Sequence, residues 1–211
     1  MPGVSQLPSI LLRALLPLDA PPSAPGWNRA AMRHLLEGLQ LRPAAVLLGL
    51  RDVAEPTLIL TVRNDALSAH AGQVAFPGGG CDPDDAGPLA TALRESEEEI
   101  GLDRAAVTPL GYLDRFETIS GYSITPVVAR VAAHAALRPS PDEVAEVFEV
   151  PLAFLREPAN LHHYTMSYRE HQHAMVEFRY GDYRIWGATA AILANLLQRI
   201  DQAAQDEARS A

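Results

Sequence analysis

Lysine is absent from this chain: all 17 cations among its 211 residues are arginine, set against 26 acids. The formal net charge is −9 and the pI about 5.2. An electrostatic footprint for nucleic acid needs a basic face, so that class of partner is not expected. Cysteine occurs once, as Cys81, which rules out an intramolecular disulfide framework and fits a reducing compartment. No uninterrupted apolar run approaches the roughly 20 residues that a membrane helix requires. The apolar stretch Ile10–Leu12 and Ala14–Leu16 is broken by Arg13, has no basic region before it and runs into prolines, unlike a secretory signal. The expected location is the cytoplasm, without a membrane partner.

What is present describes an ordinary globule, with 48% hydrophobic residues and a mean hydropathy of −0.01. The length suits one well-filled domain with some extension. Ser9–Leu16 reads as a short helix with Ser9 as its cap, and residues 17–26, with four prolines, as a connector. A second helix is expected over Trp27–Leu39. Residues 1–39 thus form a helical extension with a proline-rich connector, residues 40–200 the main domain, and residues 201–211 a polar tail that frays. Strands are expected at 44–48, 57–62, 107–116, 123–131 and 174–180, and a last helix from Ala188 to about Ile200. Its stripe of Ile192, Leu193, Leu196, Leu197 and Ile200 reads as core packing.

Between these elements lies the most unusual segment. Phe76-Pro77-Gly78-Gly79-Gly80 leads through a short acidic loop into a helix predicted over Pro88–Ile100, with proline in its first turn and Gly101 just past its end. Four of the five residues from Glu95 to Glu99 are glutamates. On a wheel of about 100° per residue, Leu89, Leu93, Ser96 and Ile100 share one arc, facing the core. Glu95, Glu98 and Glu99 share a second arc, and Glu97 falls outside it. A solvated acidic face is the usual explanation of such a run. Here the like-charge pair Glu95/Glu99, at i,i+4, costs a few tenths of a kcal/mol. Carboxylates in the last turn also oppose the helix dipole, at about 0.3–1 kcal/mol each. Arg94 can relieve Glu97 or Glu98, but one cation does not balance four acids. A divalent cation with hard-oxygen preference, Mg²⁺ or Mn²⁺, reverses both penalties. A calcium-loop reading fails: Asp82, Asp84 and Gly87 fit its positions, but Ala86 and Leu93 stand where ligands belong.

Arg94-Glu95-Ser96-Glu97-Glu98-Glu99-Ile100-Gly101-Leu102 resembles the second half of the Nudix box, G-x5-E-x7-R-E-U-x-E-E-x-G-U, with Ser96 at its first apolar position. Counted from Gly80, Ala86 stands where the first glutamate belongs. Counted from Gly79, the acid Asp85 stands there, with one extra residue before Arg94. A second segment is similar to the signature of the coenzyme A diphosphatase branch, L-L-T-x-R-[SA]-x3-R-x3-G-x3-F-P-G-G. Ile59-Leu60-Thr61-Val62-Arg63, Gly72 and Phe76-Pro77-Gly78-Gly79 match it in spacing, whereas Asn64 and Ser68 depart from it. Ser68 replaces an arginine, and serine does not reproduce a bidentate guanidinium–phosphate contact. Later segments, at 120–128, 143–152 and 185–190, are similar to the same branch, so the likeness spans residues 44–197.

The resemblance implies an α/β Nudix fold, an α/β/α sandwich with a mixed β-sheet and the box as loop-helix-loop. It implies a metal-dependent hydrolase that cleaves the diphosphate of coenzyme A or its thioesters to 4′-phosphopantetheine and 3′,5′-ADP, with Mg²⁺ or Mn²⁺ as cofactor. It makes Glu95, Glu98 and Glu99 metal ligands, joined by a loop carbonyl such as that of Gly79. Glu95, Glu98 and Arg94 become the catalytic set, with Arg94 orienting a box carboxylate, and Arg63, Gly72, Phe76 and Gly78 contact substrate. The general base is a box glutamate or one of Glu143, Glu146 and Glu149. The implied partner is a small coenzyme A-like nucleotide, and a homodimer is compatible with the family. Two other readings remain: a Nudix diphosphatase acting on NADH or ADP-ribose, motivated by Ser68, and a catalytically silent Nudix-fold binding module.

Other residues carry less. Cys81 lacks a Cys-His-Asn context and reads as a loop thiol. His162, His163, His171 and His173 suggest zinc, but with no cysteine partners a solvated loop is the expectation. Tyr180, Tyr183 and Trp186 are candidates for a pocket lining, with core packing equally open for Trp186.

Overall fold

A computed structural model describes residues 7–64, 72–169 and 171–210. Ser68 therefore lies outside the described residues. The central strand β1 (Arg42–Asp52) pairs in parallel with β7 (Tyr122–Ala132) over its whole length, and antiparallel with β2 (Thr57–Arg63). The short strand β3 (Val74–Ala75) adds to β2, and β4 (Gly78–Gly80) pairs with the first half of β1. β5 (Val107–Tyr112) and β6 (Phe116–Glu117) both pair with β7, and β8 (Val144–Pro151) pairs with β2. The eight strands form one mixed sheet. The expected strand 107–116 is thus two pieces, with residues 113–115 between them outside either strand, although Leu113 N–H still donates to Pro126 O of β7 at 3.0 Å.

Strand alternation sorts the core to the two faces of this sheet. Leu48, Leu50, Leu58, Leu60 and Val128 face one side, where α1 (Leu7–Ala14) and α5 (Gly187–Ser210) cover them. Ala45, Leu47, Ile59, Val127, Ala129 and Val131 face the other, covered by α3 (Pro88–Ile100) through Ala92 and Ile100. The layers are those of an α/β/α sandwich. Ile10 and Leu11 of α1 are buried in the first cluster. Burial of one such side chain stabilises by about 1.5–3 kcal/mol, which holds the N-terminal helix on the domain.

Four further segments differ from expectation. α1 contains Ser9 within its span, so Ser9 is not its cap, and it ends at Ala14 because Leu16 leaves the helix to exchange backbone hydrogen bonds with Tyr112. Over 27–39 only α2 (Arg33–Leu36) is helical. Upstream of it, the buried side chain of Asn28 donates to the Glu117 carbonyl at 2.7 Å and accepts from the Glu117 N–H at 2.9 Å. The Glu117 carboxylate accepts from Gly26 N–H and from Arg29. Side-chain to backbone bonds of this kind compete with the helix ladder, and here they win. The C-terminal helix runs on to Ser210 instead of stopping near Ile200, because Ala203 is buried and Glu207 pairs with Arg13 of α1 at 2.6 Å. The histidine segment is a hairpin: β9 (His162–Tyr168) and β10 (His171–Tyr180) pair antiparallel, and β11 (Tyr183–Trp186) completes a second, three-stranded sheet. Polar residues on both faces hide its alternation in sequence. α4 (Leu152–Arg156) follows β8 directly. Among the described residues no helix is long and apolar enough to cross a membrane.

Candidate metal and substrate site

The site is built where α3 crosses β4. The Gly78 backbone lies at φ +149°, and a Cβ there would fall 2.4 Å from the Ala45 carbonyl oxygen. A Cβ on Gly79 would fall 2.6 Å from the Glu95 carboxyl group. Glycine at these two positions lets the loop lie flat between β1 and the glutamate face of α3. At the other end of α3, Gly101 closes the helix in the left-handed region, and its N–H donates to Glu97 O. The N–H groups of Arg138 and Ser140 donate to the carbonyls of Ile100 and Glu99, at 2.7 and 2.8 Å.

The buried side of α3 is Thr91, Ala92, Ser96, Glu99 and Ile100. Leu93, expected in the core, is half-buried, and Glu99 takes a place inward of the predicted arc. The helix lies on small residues, Ala45 and the β4 glycines, so it sits close and rolls Ala92 rather than Leu93 against the sheet. Ser96 is accommodated by donating its hydroxyl to Ala92 O at 2.6 Å.

Arg94 is saturated. Its Nε and Nη2 donate to the two carboxylate oxygens of Asp85 at 3.1 and 3.0 Å, and Nη2 also donates to Gly80 O at 3.1 Å. Nη1 lies 3.0 Å from both Glu95 and Glu98. Asp85 also accepts from Thr91 Oγ1 and Asp82 N. The Arg94 guanidinium holds the Asp85 carboxyl well below the usual carboxylate range. Asp85, the acid found by counting from Gly79, therefore meets the box arginine, while Ala86 is exposed. Glu97 points away and pairs with Arg104 at 2.8 Å, so Arg94 relieves Glu98 and not Glu97.

Glu99 is 3% exposed. It accepts from Gly78 N–H at 3.0 Å and faces Arg63 Nη1 at 3.7 Å. Burial pushes its carboxyl up to about 7 against those two favourable contacts, with Glu95 and Glu143 adding repulsion. Glu95 is also pushed upward, first by burial, with Arg94 opposing. Carboxylates withdrawn from water beside one another are short of positive charge, and their hard oxygens with the neighbouring loop carbonyls fit a divalent cation such as Mg²⁺ or Mn²⁺. Among the described residues no three His, Cys, Asp or Glu side chains stand close enough together to hold a metal ion as they are placed. Arg94 holds Glu95 and Glu98, while Gly78 and Arg63 hold Glu99.

Arg63 ends β2 at a register shift, and its Nε is buried without a hydrogen-bond partner among the described residues. Gly72, at φ +67°, donates to Arg63 O at 3.1 Å. Phe76 turns into the core at 4% exposure, where it fixes the shape of the loop. Of the three acids after the box, Glu149 is bound by Arg51 and Thr57, and Glu146 accepts from Tyr183 Oη at 2.6 Å. Glu143 has no side-chain hydrogen bond or ion pair among the described residues, and its charge is felt by both Glu95 and Glu99. Sequence reasoning does not rank these three, since the ranking depends on partners from β1, β2 and β11. Tyr183 stacks on Phe148, Tyr180 packs edge-on to Phe154, and Trp186 lies beneath Arg184.

Comparison with known proteins agrees with this geometry. Residues 40–169 match the NUDIX domain model. The uncharacterized Nudix hydrolase NudL of Photorhabdus laumondii subsp. laumondii is 43% identical over 159 residues, covering 75% of this chain and 85% of its own length. The uncharacterized Nudix hydrolase NudL of Escherichia coli strain K12 is 39% identical over 176 residues, covering 83% and 88%. Among solved structures, a MutT/nudix family protein from Enterococcus faecalis superimposes with a TM-score of 0.51 over 96% of this chain and 76% of that one, at 14% identity, a likeness of fold alone. With its box helix on a mixed sheet, an arginine clamped by an acid before that helix and relatives matched over most of its length, the chain belongs to the Nudix hydrolase family.

Proposed function

We propose that the chain is a metal-dependent Nudix diphosphatase that hydrolyses coenzyme A or its thioesters to 4′-phosphopantetheine and 3′,5′-ADP. The observation that carries this reading is the approach of Arg63 to Glu99 at 3.7 Å. Arg63 belongs to the segment similar to the coenzyme A signature and Glu99 to the box, so the two sequence signals support one site.

Glu95, Glu98 and Glu99, with the carbonyl of Gly79, are the residues that would hold Mg²⁺ or Mn²⁺, the ions Nudix hydrolases generally use. When bound, the divalent ion neutralises charge on the diphosphate oxygens and makes a water more acidic. Arg94 orients Glu95 and Glu98 while Asp85 anchors it. Glu143, whose side chain has no partner among the described residues, takes the proton from the attacking water. Arg63 offers its guanidinium to a substrate phosphate, Gly72 and Gly78 let the backbone approach the substrate, and Phe76 sets the loop from beneath. Ser68, standing where the branch signature has arginine, supports a second reading in which NADH or ADP-ribose is preferred.

Incubation of the protein with Mg²⁺ or Mn²⁺ and a panel of coenzyme A, acyl-coenzyme A, NADH and ADP-ribose, with products identified by mass spectrometry, tests both. The expected product pair is 4′-phosphopantetheine (or its acyl form) and 3′,5′-ADP. Higher kcat/KM on NADH or ADP-ribose selects the second reading. No turnover of any member at high enzyme concentration rejects both and leaves a binding module.

A further inference from the structure

Two arginines stand directly opposite each other across the β10–β11 ladder. Arg179 pairs in register with Arg184, beside the turn at Gly181 and Asp182. Like charges in that relation weaken a sheet. Both side chains reach back to Glu177, which is 4% exposed. Arg179 Nε donates to one carboxylate oxygen at 2.7 Å, and Arg184 Nε and Nη2 each approach the other at 2.7 Å. Burial works against ionisation of Glu177, but the hydrogen bonds from the two arginines outweigh it and hold its carboxyl below the usual range. One negative charge is thus set against two positive ones. The Arg184 guanidinium is also held over the rings of Trp186 and Tyr164, 5.1 and 5.5 Å from their centroids. A guanidinium carries five N–H donors, so Glu177 uses up neither fork, and both side chains are at least half exposed.

These arginines line an open cleft of about 380 Å³ with Gly181, Asp182 and Tyr183. The ladders fix where it lies. Tyr183 stacks on Phe148 of β8, with ring centroids 3.7 Å apart, and donates to Glu146 at 2.6 Å. Glu146 pairs with Val62, and Val144 with Arg63, so Glu143 and Arg63 stand at the same end of β8 and β2. Three residues separate Glu146 from Glu143, no more than about 10 Å along the chain. β11 then packs against β3, the strand that leads through Phe76 to the β4 glycines. The cleft therefore adjoins the end of the sheet that carries the glutamate site, at a separation that a ribose and its phosphates can bridge. Asp182 lines the same cleft but is exposed, so water and salt screen its charge.

Resting on the coenzyme A reading, we propose that Arg179 and Arg184 form a subsite for a phosphate monoester on the substrate ribose, the 3′-phosphate of coenzyme A. Two guanidinium groups bind such a dianion through charge-assisted, bidentate contacts. Glu177, Trp186 and Tyr164 hold them in place beforehand, so little side-chain freedom is lost on binding. The pair brings to this rim the kind of cation that Ser68 lacks where the branch signature has arginine.

The full chain in Mg²⁺ is titrated by calorimetry with 3′,5′-ADP and with AMP, which differ by the 3′-phosphate alone. Coenzyme A and 3′-dephospho-coenzyme A are compared as substrates. The parent binds 3′,5′-ADP at least about tenfold tighter than AMP, and kcat/KM favours coenzyme A by a similar factor. Arg179→Gln and Arg184→Gln each lower 3′,5′-ADP affinity about tenfold, leave AMP affinity within about threefold and remove most of the substrate preference. Arg104→Gln, at an exposed arginine paired with Glu97, alters neither. If Arg184→Gln fails to fold by circular dichroism, Arg179→Gln, at the more exposed side chain, decides alone. Equal affinity for 3′,5′-ADP and AMP in the parent, or a preference that survives these substitutions, overturns the subsite whether or not coenzyme A is turned over. A 3′-phosphate preference that the substitutions abolish, without turnover of either coenzyme A species, supports the subsite and rejects coenzyme A as the substrate.

Discussion

Arg94 grips Asp85 with two parallel hydrogen bonds, Nε to Oδ1 at 3.1 Å and Nη2 to Oδ2 at 3.0 Å. The pair joins the loop before α3 to the helix that carries the site glutamates, and it fixes where Nη1 stands between Glu95 and Glu98. Replacement of Asp85 by Ala leaves the guanidinium without its anchor in a partly buried setting. Stability falls by about 2 kcal/mol, read from urea unfolding, and kcat/KM falls with it.

The same contact sets a pH dependence. The folded state holds the Asp85 carboxyl below its unfolded value of about 3.9. The folded protein then binds fewer protons than the unfolded chain, and stability rises with pH through this range. The contribution is complete above about pH 5 and is lost as pH falls toward and through the depressed folded value. Acid unfolding of Asp85→Asn, compared with the parent, shows a flatter stability–pH curve below about pH 5. An unchanged slope rejects the assignment.

Glu97 and Glu98 are neighbours in sequence with different partners, Arg104 and Arg94, and the proposed function gives them opposite roles. Glu98→Gln lowers kcat/KM by about 100-fold or more, because it weakens the hold on a divalent ion that would neutralise the reacting phosphate. Glu97→Gln, whose parent side chain only pairs with exposed Arg104, stays within about threefold. Equal effects of the two substitutions contradict the placement of the metal ligands.

Among the acids after the box, Glu143→Gln reduces kcat by about 10²–10⁴-fold, the range for loss of a general base, with KM little changed. Glu146→Gln and Glu149→Gln stay within a few-fold, because their carboxylates are already bound by Tyr183 and by Arg51 and Thr57. A large effect confined to Glu146 or Glu149 moves the base there.

Gly79→Ala inserts a methyl 2.6 Å from the Glu95 carboxyl group. The carboxylate is the far end of a flexible side chain and gives way, so stability changes by less than about 1 kcal/mol. Activity falls by about 10²-fold, since displacement of a site group by about 1 Å has that effect. Thermal unfolding and initial rates on the same preparation separate the two.

Features with a local cause were legible before any fold was known. Proline at the start and glycine at the end bound α3, and the 3.6-residue period separates Glu97 from Glu95, Glu98 and Glu99. β-Branched and apolar runs mark β1, β2 and β7, and the box and the Ile59–Gly79 segment carry the family resemblance. Whatever depends on a partner distant in the chain was decided by packing. The choice between Asp85 and Ala86 was settled by which one meets Arg94 across the loop. The inward roll of α3 that buries Glu99 follows from the small residues of β1 and β4 beneath it. The helix expected over 27–39 gave way to Asn28 and its bonds to Glu117, and α5 was prolonged by the burial of Ala203 and the pairing of Glu207 with Arg13. The meeting of His34 with His171 and His173 belongs to the same class. Local periodicity sets which way a side chain points from its own element, but the residue it meets is set by how the elements pack.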